Sequence, residues 1–479
     1  ILLRKRNKLN RKGKLDEAVQ VAEKIRNLII RGNSKTLNNL KSTKPKELWS
    51  AIRSITSSSA ARYSEDVISI SATDLNDHYT KMSTDDNYQP LNQKLSVCNF
   101  DKSYVNEIDL HDALTKLKKT TMGTDGLPYW FLKLSADYIS NYLASLIKLS
   151  ITQERVPIQW KKAEIHPIPK KEKPEKLIDY RPISLTPILS RTTEKLIIKN
   201  HLSIIFQRNP QKFKDQFAFR KTGSTSAAII AITKELTDFL ETNSYVRLIA
   251  LDFSKAFDTV RHKNLFDKLA NLDIEDHVYN WLLDYFQQHM QRTRFNQDTS
   301  EYKYTNAGVI QGSAIGPFCF CVLASDLIPV NLNNRIIKYA DDTYLIVPAS
   351  EIQSTDRELS NIENWAKNNN LKLNINKSKE VIFHTRRTVS TPLPITGISS
   401  CDKINILGVT INEKFKVSDH ISHLLLSATR KTFMLKLLRV RGLGQPEIHT
   451  IYKSTIMANF TYAIQAWWGY MDTEDRKRM

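Results

Sequence analysis

Residues 335–347 have the sequence Arg-Ile-Ile-Lys-Tyr-Ala-Asp-Asp-Thr-Tyr-Leu-Ile-Val, in which Asp341 and Asp342 stand between two apolar, β-prone runs. This pattern predicts a β-hairpin with the two adjacent carboxylates at its tip. Strand sequences normally exclude neighbouring aspartates, because like charges repel and Asp disfavours extended backbone. An acidic pair held at a tight turn therefore needs a compensating cation, and magnesium is the natural candidate.

A third carboxylate follows a second apolar run. Residues 246–253 are almost continuously apolar or β-prone, as in a strand buried on both faces, and Asp252 lies at the end of this predicted strand. If the two strands are neighbours in one sheet, the three acids suit two Mg²⁺ ions about 3.5–4 Å apart, which activate an attacking hydroxyl and stabilise a leaving pyrophosphate. The alternative is that Asp252 caps the next turn and Asp341 and Asp342 merely fill a hairpin tip.

Composition indicates a polyanionic partner. The 479 residues include 70 Lys or Arg against 50 Asp or Glu, a net charge of +20, and 41% of the residues are hydrophobic, enough for cores in two to four domains or subdomains. The basic excess favours nucleic acid as the partner. Residues 1–60 hold fifteen basic and four acidic residues and are predicted to form a basic helical linker that faces nucleic acid, with a solvated helix as the alternative.

Cysteine spacing and hydropathy argue against zinc and membrane sites. The four cysteines show no CxxC pair and no histidine at zinc spacing, so we expect a reduced intracellular protein, with the nucleus and the cytoplasm both open. The most apolar window, residues 314–330, contains Pro317 and Asp326 and is too short for a membrane span of about 20 residues. A buried helix is predicted there, and no membrane partner.

Periodicity gives a coarse order of elements. Helices are predicted at 108–117, 129–151, 189–206, 418–440 and from 447 onward. Two proline-containing extended pieces, 163–170 and 181–185, are predicted as edge strands around a charged loop.

The chain resembles reverse transcriptases, specifically those of non-LTR (LINE-like) retrotransposons. The resemblance is carried by Leu-Asp-Phe-Ser-Lys-Ala-Phe-Asp at 251–258 and Tyr-Ala-Asp-Asp at 339–342, and it spans roughly residues 105–479. Further blocks occur in order along the chain, at 123–128, 168–170 with 181–185, 215–220, 308–313, 374–379 and 406–409.

The resemblance implies an α+β right-hand polymerase fold with fingers, palm and thumb, in which helices cover one face of an antiparallel palm sheet. The parts we expect are a basic helical linker (1–60), a helical N-terminal extension (61–150), fingers and palm (151–412) and a truncated thumb (413–479). Related proteins commonly carry an endonuclease before the polymerase. Since the chain opens on Ile1, we expect a fragment of a longer open reading frame.

The resemblance also implies site residues. Asp252, Asp341 and Asp342 would be the catalytic residues and the ligands of two Mg²⁺ ions, with Mn²⁺ as a substitute. The deoxynucleoside triphosphate would contact Lys170, Arg181, Phe257, Gln311, Lys377 and Lys379. The RNA template and DNA primer would contact Gly408, in a primer-grip turn, and Lys431, Lys436 and Arg439, on a thumb helix.

Each of these roles has a plainer alternative. Phe257 would exclude a 2′-hydroxyl, but core packing also suits an aromatic ring there. Lys170 and Arg181 would bind phosphate oxygens, but the same residues suit a solvated basic loop. Either Lys377 or Lys379 would protonate the leaving pyrophosphate, and the sequence does not decide between them. The glycine after Gln311 would let the backbone approach substrate, or simply make a turn.

The implied function is an RNA-directed DNA polymerase that extends a primer 3′-hydroxyl on an RNA template. A group II intron type polymerase is one alternative. A decayed or domesticated RNA-binding remnant is another, although the intact acids argue against it. A metal-dependent nuclease is disfavoured, because the fingertip and Gln-Gly-Ser blocks serve nucleotide binding. Template specificity, processivity and oligomeric state are not given by the sequence.

Overall fold

The computed structural model describes residues 1–39, 70–96, 105–385 and 390–479. The chain divides into two compact units, one formed by Ile1–Asp66 with Gly408–Met479 and the other by Val67–Leu407. The four-part division expected from the sequence stays a prediction.

The larger unit is built on two main sheets. Its strands, in chain order, are β1 (Lys162–Pro169), β2 (Tyr180–Leu185), β3 (Val246–Leu251), β4 (Phe253–Ser254), β5 (His289–Phe295), β6 (Asp298–Thr299), β7 (Lys303–Thr305), β8 (Arg335–Tyr339), β9 (Asp342–Pro348), β10 (Lys372–Leu373), β11 (Lys379–Phe383), β12 (Ser399–Ser400) and β13 (Lys403–Ile406). The central sheet has the order β12-β11-β3-β9-β8, and the second sheet joins β2, β1 and β5 with the short strands β6 and β7.

Strand β3 lies in the middle of the central sheet. It pairs antiparallel with β9 on one side and with β11 on the other, and nearly all of its side chains are buried. This confirms the strand predicted from the apolar run. The register places Leu251 opposite Thr343, so the end of β3 meets the start of β9.

The predicted hairpin is confirmed. Strands β8 and β9 pair antiparallel with Tyr339 opposite Asp342, which leaves Ala340 and Asp341 as a two-residue turn. Ala340 has a φ of 55°. A side chain disfavours this left-handed conformation, so the turn depends on contacts that hold it in place.

In the second sheet, β2 lies at an edge as predicted, but the prediction that both proline-containing pieces are edge strands is wrong for β1. Strand β1 lies between β2 and β5, and it pairs with β5 in parallel through residues 162–165. Its prolines, Pro167 and Pro169, come after this paired stretch, where they need not donate a hydrogen bond to β5.

Helices surround the sheets of the larger unit. They are Ala72–Met82, Glu107–Thr115, Tyr129–Leu134, Ala136–Thr152, Ile188–Ile197, Ser203–Arg208, Thr225–Thr242, Ala256–Thr259, His262–Ala270, Asp276–Phe286, Ile315–Leu323 and Thr355–Asn368. The helix predicted at 129–151 is interrupted at Ser135, whose hydroxyl donates to the Phe131 carbonyl. The helix predicted at 189–206 continues through a π-helical turn, Ile198–Leu202.

The buried helix expected within residues 314–330 is confirmed as the helix Ile315–Leu323, eight of whose nine residues are buried. Its N-terminal end rests on Glu194, a fully buried carboxylate that accepts hydrogen bonds from the amides of Ala314 and Ile315. None of the helices in the described parts of the chain is both long and apolar enough to cross a membrane.

The smaller unit is mainly helical. It contains strand β14 (Val409–Asn412) and the helices Leu2–Arg11, Leu15–Asn39, Ser418–Val440, Gln445–Tyr452, Ala458–Thr461, Ile464–Trp467 and Thr473–Arg478. The predicted basic helices are therefore present up to residue 39, and residues 40–60 of that prediction lie outside the described residues. The helix predicted at 418–440 is confirmed, and the one predicted from 447 begins at Gln445.

Candidate functional site

Three acidic residues meet at one end of the central sheet. Asp252 directly follows β3, whereas Asp341 and Asp342 form the end of the β8–β9 turn. Because β3 and β9 are neighbours and Leu251 lies opposite Thr343, Asp252 continues toward Asp342 across the sheet. The condition set by the sequence, that the two strands be adjacent, is met.

Burial and the charges of neighbouring acidic residues raise the pKa values of Asp341 and Asp342. Burial is the larger cause for both residues, and the negative charge of Asp252 adds to it. The pKa of Asp342 rises to about 6, with Asp341 as a further cause. The Arg181 guanidinium acts in the opposite direction on Asp341, so its charge reaches the acidic pair. The site therefore carries negative charge that a cation would relieve.

The donor chemistry fits a divalent cation, since carboxylate oxygens are the ligands that hard cations prefer. Within the described ranges, however, no group of three or more His, Cys, Asp and Glu side chains is arranged so that it could hold a metal ion. The fold thus brings Asp252, Asp341 and Asp342 to the same end of the sheet, but their side chains are not arranged as a complete set of metal ligands.

Gln216 holds the hairpin tip from outside the sheet. Its Oε1 accepts hydrogen bonds from the Ala340 and Ala218 amides, both at 3.0 Å, and its side chain is only 2% exposed. The neighbouring Phe217 amide donates to the Lys338 carbonyl at 2.9 Å. The block at 215–220 was identified from the sequence, but Gln216 was given no role. The polar glutamine among the aromatic residues of that block was the available signal.

The loop before β11 surrounds Asp252. The Asn374 amide donates to the Asp252 carbonyl at 2.7 Å, and the Asp252 amide donates to the Ser378 hydroxyl at 3.3 Å. Lys377 Nζ lies 3.9 Å from Asp252 Oδ2. Lys379 begins β11 opposite Ala250 and is exposed. Of the two predicted lysines, the structure brings Lys377 to the acidic residues.

Phe257 and Gln311 lie beside this end of the sheet. The Phe257 ring is half-buried and stacks on Phe320 with ring centroids 4.5 Å apart, so part of it serves the core, as the plainer alternative expected. Gln311 donates from Nε2 to Asp258 Oδ1 at 2.7 Å. Burial raises the pKa of Asp258 to about 6. Asp258 belongs to the 251–258 block, but the sequence did not predict that it is the hydrogen-bond partner of Gln311.

Gly312 is required by a close backbone contact. Its φ is +119°, and a Cβ at this position would lie 2.5 Å from the Ser184 carbonyl oxygen. The neighbouring Gln311 carbonyl accepts from the Ser184 amide at 2.9 Å. The close approach seen here is therefore to β2, and the predicted approach to a substrate stays a prediction.

Basic residues of the second sheet lie near the acidic end. Lys170 follows β1, and its Nζ donates to the Ile178 carbonyl at 2.9 Å. Burial lowers the pKa of Lys170, and the charges of Arg181 and Lys377 lower it further. Arg181 is exposed on β2 opposite Ile168. The predicted nucleotide residues Lys170, Arg181 and Lys377 thus act on one another electrostatically.

The predicted nucleic-acid residues lie in the smaller unit. Gly408 has a φ of +92°, and a Cβ there would lie 3.3 Å from the Tyr462 ring. On the helix Ser418–Val440, Lys436 and Arg439 are exposed, but Lys431 Nζ donates to the Thr455 carbonyl at 2.9 Å.

Residues 168–411 match the family described as "Reverse transcriptase (RNA-dependent DNA polymerase)". The chain belongs to the reverse transcriptase family. It is 27% identical over 349 residues to the probable RNA-directed DNA polymerase from transposon BS of Drosophila melanogaster, covering 68% of this chain. It is also 27% identical over 372 residues to the RNA-directed DNA polymerase from mobile element jockey of the same fly, covering 73% of this chain.

The matches cover 38% and 40% of the lengths of these two relatives. Among solved structures, the chain is similar to telomerase from Candida tropicalis in complex with a TWJ fragment of telomeric RNA, with a TM-score of 0.41, 13% identity, and coverage of 74% of this chain and 61% of that one. Reverse transcriptases use divalent metal ions and bind RNA templates. The resemblance to LINE-like reverse transcriptases is confirmed, and so is the α+β polymerase fold class.

Proposed function

We propose that this chain is an RNA-directed DNA polymerase of a non-LTR retrotransposon, which adds deoxynucleotides to a primer 3′-hydroxyl on an RNA template. The observation that carries the proposal is the meeting of Asp252, Asp341 and Asp342 at one end of the central sheet, within reach of the Arg181 charge. The relatives whose names describe transposon polymerases support the same conclusion.

Asp252, Asp341 and Asp342 would hold two Mg²⁺ ions, or Mn²⁺ in their place. When bound, these ions supply activation of the primer hydroxyl and neutralisation of phosphate charge. The contribution of the chain itself is to fix the carboxylates at adjacent strand ends. Gln216 holds the turn that carries Asp341, and the Asn374 and Ser378 contacts hold the backbone of Asp252.

The incoming nucleotide would lie between the acidic residues and the basic residues of the second sheet. Lys170 and Arg181 would bind its phosphates, Arg181 through a planar guanidinium that suits two oxygens at once. Asp258 accepts a hydrogen bond from Gln311 Nε2, so the side-chain oxygen Oε1 of Gln311 would be the atom that orients toward the sugar. The half-exposed edge of Phe257 would close the space at the 2′ position.

Lys377 is the better candidate to give a proton to the leaving pyrophosphate, because its Nζ lies 3.9 Å from Asp252 Oδ2. Lys379 would act farther out as a second positive charge. In the smaller unit, Gly408 would serve the primer-grip turn, and Lys436 and Arg439 would contact the nucleic-acid backbone. The hydrogen bond from Lys431 to Thr455 favours a structural role for that lysine.

Primer extension tests the proposal. Purified protein with Mg²⁺, a DNA primer on an RNA template and deoxynucleotides should extend the primer, and Asp341→Asn should abolish extension while sparing RNA binding. Asp86→Asn is the matched control, since Asp86 is an exposed aspartate that is not one of the three acidic residues of the site. It should extend the primer at the wild-type rate. We expect the polymerase to act inside the cell, in the nucleus or the cytoplasm.

An inert wild-type protein that still binds RNA tightly would refute the proposal in favour of an RNA-binding remnant. Shortening of the primer or template in place of extension would instead support a metal-dependent nuclease. Loss of RNA binding in Asp341→Asn would show that the substitution damages the fold, and Asp341→Glu would then be compared, because it keeps the charge while displacing the carboxylate.

A further inference from the structure

Lys255 follows the acidic residue Asp252 in the chain and has an unusual backbone conformation. It lies three positions after Asp252, and its backbone has a φ of 53°, a conformation that a residue with a side chain rarely adopts. Its side chain turns toward the helix Ala72–Met82, where Nζ lies 3.3 Å from His78 Nε2 and contacts the Met82 sulfur. This helix precedes the region that matches the reverse transcriptase family.

Both partners of Lys255 are uncharged acceptors. Burial lowers the pKa of His78, and the nearby charges of Lys255 and Lys170 lower it further, so the imidazole is neutral at physiological pH and its Nε2 can accept a hydrogen bond. The Met82 thioether is a weak acceptor without charge. A carboxylate in place of His78 would pair with the ammonium group and neutralise it. The neutral partners direct Lys255 and leave its charge available.

The positive charge near Lys255 exceeds the negative charge that compensates it. Burial lowers the pKa of Lys255, and the charge of Lys170 lowers it further, whereas Asp258 opposes the change. Asp258 is also acted on by Lys170 and Arg181, and its carboxylate already accepts a hydrogen bond from Gln311. The positive charges of Lys255, Lys170 and Arg181 therefore all act on the single Asp258 carboxylate. Burial raises the pKa of this carboxylate to about 6. A bound anion would relieve this surplus.

The helix Ala72–Met82 is fixed firmly enough to position a side chain. Leu75 and Tyr79 are buried against Ile165 of β1, with 0% and 2% of their surfaces exposed. The helix begins at a capping box in which Ser71 and Asp74 exchange hydrogen bonds. His78 directly precedes Tyr79 on this helix, so the packing of Leu75 and Tyr79 fixes the backbone from which the His78 side chain extends.

We infer that Lys255 binds a phosphate group of the incoming deoxynucleoside triphosphate, and that His78 is a positioning residue that directs the ammonium group without neutralising it. The inference rests on the proposed function and extends its nucleotide site. It adds a third cation to Lys170 and Arg181. It also makes the helix Ala72–Met82 a part of that site.

The test measures binding without turnover. The wild-type protein is mixed with Mg²⁺ and an RNA template whose DNA primer ends in a dideoxynucleotide, and the affinity for dTTP is measured. Lys255→Met keeps the length of the side chain and removes its charge. It should weaken dTTP binding about ten- to hundredfold, as expected for loss of one charge-assisted hydrogen bond. The affinity for primer–template and the thermal unfolding temperature should stay at wild-type values.

Three variants on the helix separate positioning from simple packing. His78→Gln retains a neutral acceptor and should bind dTTP within about twofold of wild type. His78→Glu should weaken dTTP binding nearly as much as Lys255→Met, because its carboxylate neutralises the ammonium group. Asp77→Asn, at an exposed neighbouring position that pairs with Lys303, is the matched control and should leave dTTP binding unchanged.

Unchanged dTTP affinity in Lys255→Met would overturn the inference, and so would a wild-type protein that binds no dTTP. If Lys255→Met weakens dTTP binding but His78→Glu does not, the role given to His78 is wrong. A wild-type protein that binds dTTP yet never extends an unblocked primer refutes the proposed activity, while the binding series still decides the role of Lys255. In an active protein, the KM for dTTP should rise with little change in kcat.

Discussion

The contact between Gln216 and the hairpin tip allows a quantitative prediction for Gln216→Met. Methionine preserves the length of the buried side chain and removes the acceptor shared by the Ala340 and Ala218 amides. Each amide left unpaired costs about 1–3 kcal/mol. Part of this cost is offset, because Gln216 Nε2 is buried and has no hydrogen-bond partner within the described residues. The substitution removes this buried unpaired donor. The net expectation is about 2 kcal/mol of lost stability.

The functional effect should exceed the effect on stability. Ala340 has a φ of 55°, which is disfavoured by about 1–2 kcal/mol for a residue with a side chain. Without the hydrogen bond from its amide, the turn can relax toward an ordinary conformation and displace Asp341. A displacement of about 1 Å near reacting groups can reduce a rate about a hundredfold. We therefore expect primer extension to fall about ten- to hundredfold well below the unfolding temperature.

Two measurements check this prediction. Hydrogen–deuterium exchange of residues 335–347 should accelerate in Gln216→Met. The decrease in the urea midpoint, multiplied by the measured m-value, should give the loss of stability. Gln291→Met is the matched control. Gln291, on β5 of the second sheet, is also buried, but its side chain donates to Thr80 of the helix Ala72–Met82 at 3.2 Å. It should lose stability and retain extension. Unchanged exchange at the hairpin tip together with wild-type extension would refute the role of Gln216.

Other outcomes follow from burial, close contact and stacking. Burial lowers the pKa of His262 from about 6.5 to about 4, so the unfolded chain binds a proton first as the pH falls. The free energy of unfolding should therefore fall by up to about 3 kcal/mol between these pH values on account of His262, and His262→Gln should make the fall measured by urea smaller. Buried His289, whose pKa burial lowers to about 3, keeps its own contribution in the variant. Gly312→Ala should lower the thermal unfolding temperature, because its Cβ would lie 2.5 Å from the Ser184 carbonyl oxygen, whereas Gly469→Ala, with open space around it, should not. Phe257→Val should admit ribonucleotides in single-nucleotide incorporation, and unchanged selectivity would remove Phe257 from the site.

The parts of the fold that the sequence predicted are those specified by short-range patterns. The β8–β9 hairpin follows from two apolar runs around an acidic turn, and β3 follows from an apolar run that is buried on both faces. The helix at 418–440 likewise follows from periodicity within a single segment. In these cases the residues that determine the structure are neighbours along the chain, so no knowledge of distant contacts is needed.

The parts that were missed depend on contacts between distant residues. The hydrogen bond from Ala340 to Gln216 joins positions 124 residues apart, and the contact between Lys255 and His78 joins positions 177 apart. The parallel pairing of β1 with β5 is of the same kind, and it turned a predicted edge strand into a central one. Periodicity carries no signal for such pairs, because each partner looks locally like an ordinary polar residue or a proline-containing strand.

The larger compact unit extends beyond the region that sequence similarity marks. The family match begins at residue 168, yet Asp85 pairs with Arg261 at 2.6 Å and is only 4% exposed. Asn280, fully buried, exchanges two hydrogen bonds with the backbone of Lys94, both at 2.9 Å.

Removal of residues 70–96 would take away the hydrogen-bond partners of the Asn280 amide group, at about 1–3 kcal/mol for each neutral group left unpaired. It would also take the Asp85 carboxylate from Arg261, whose guanidinium would keep, among the described residues, only its hydrogen bond to the Asn368 carbonyl. It would also remove the helix that directs Lys255. The segment that precedes the matched region is therefore part of the folded unit on which the acidic site is built. A unit delimited by the family match alone would lack groups that stabilise its own core.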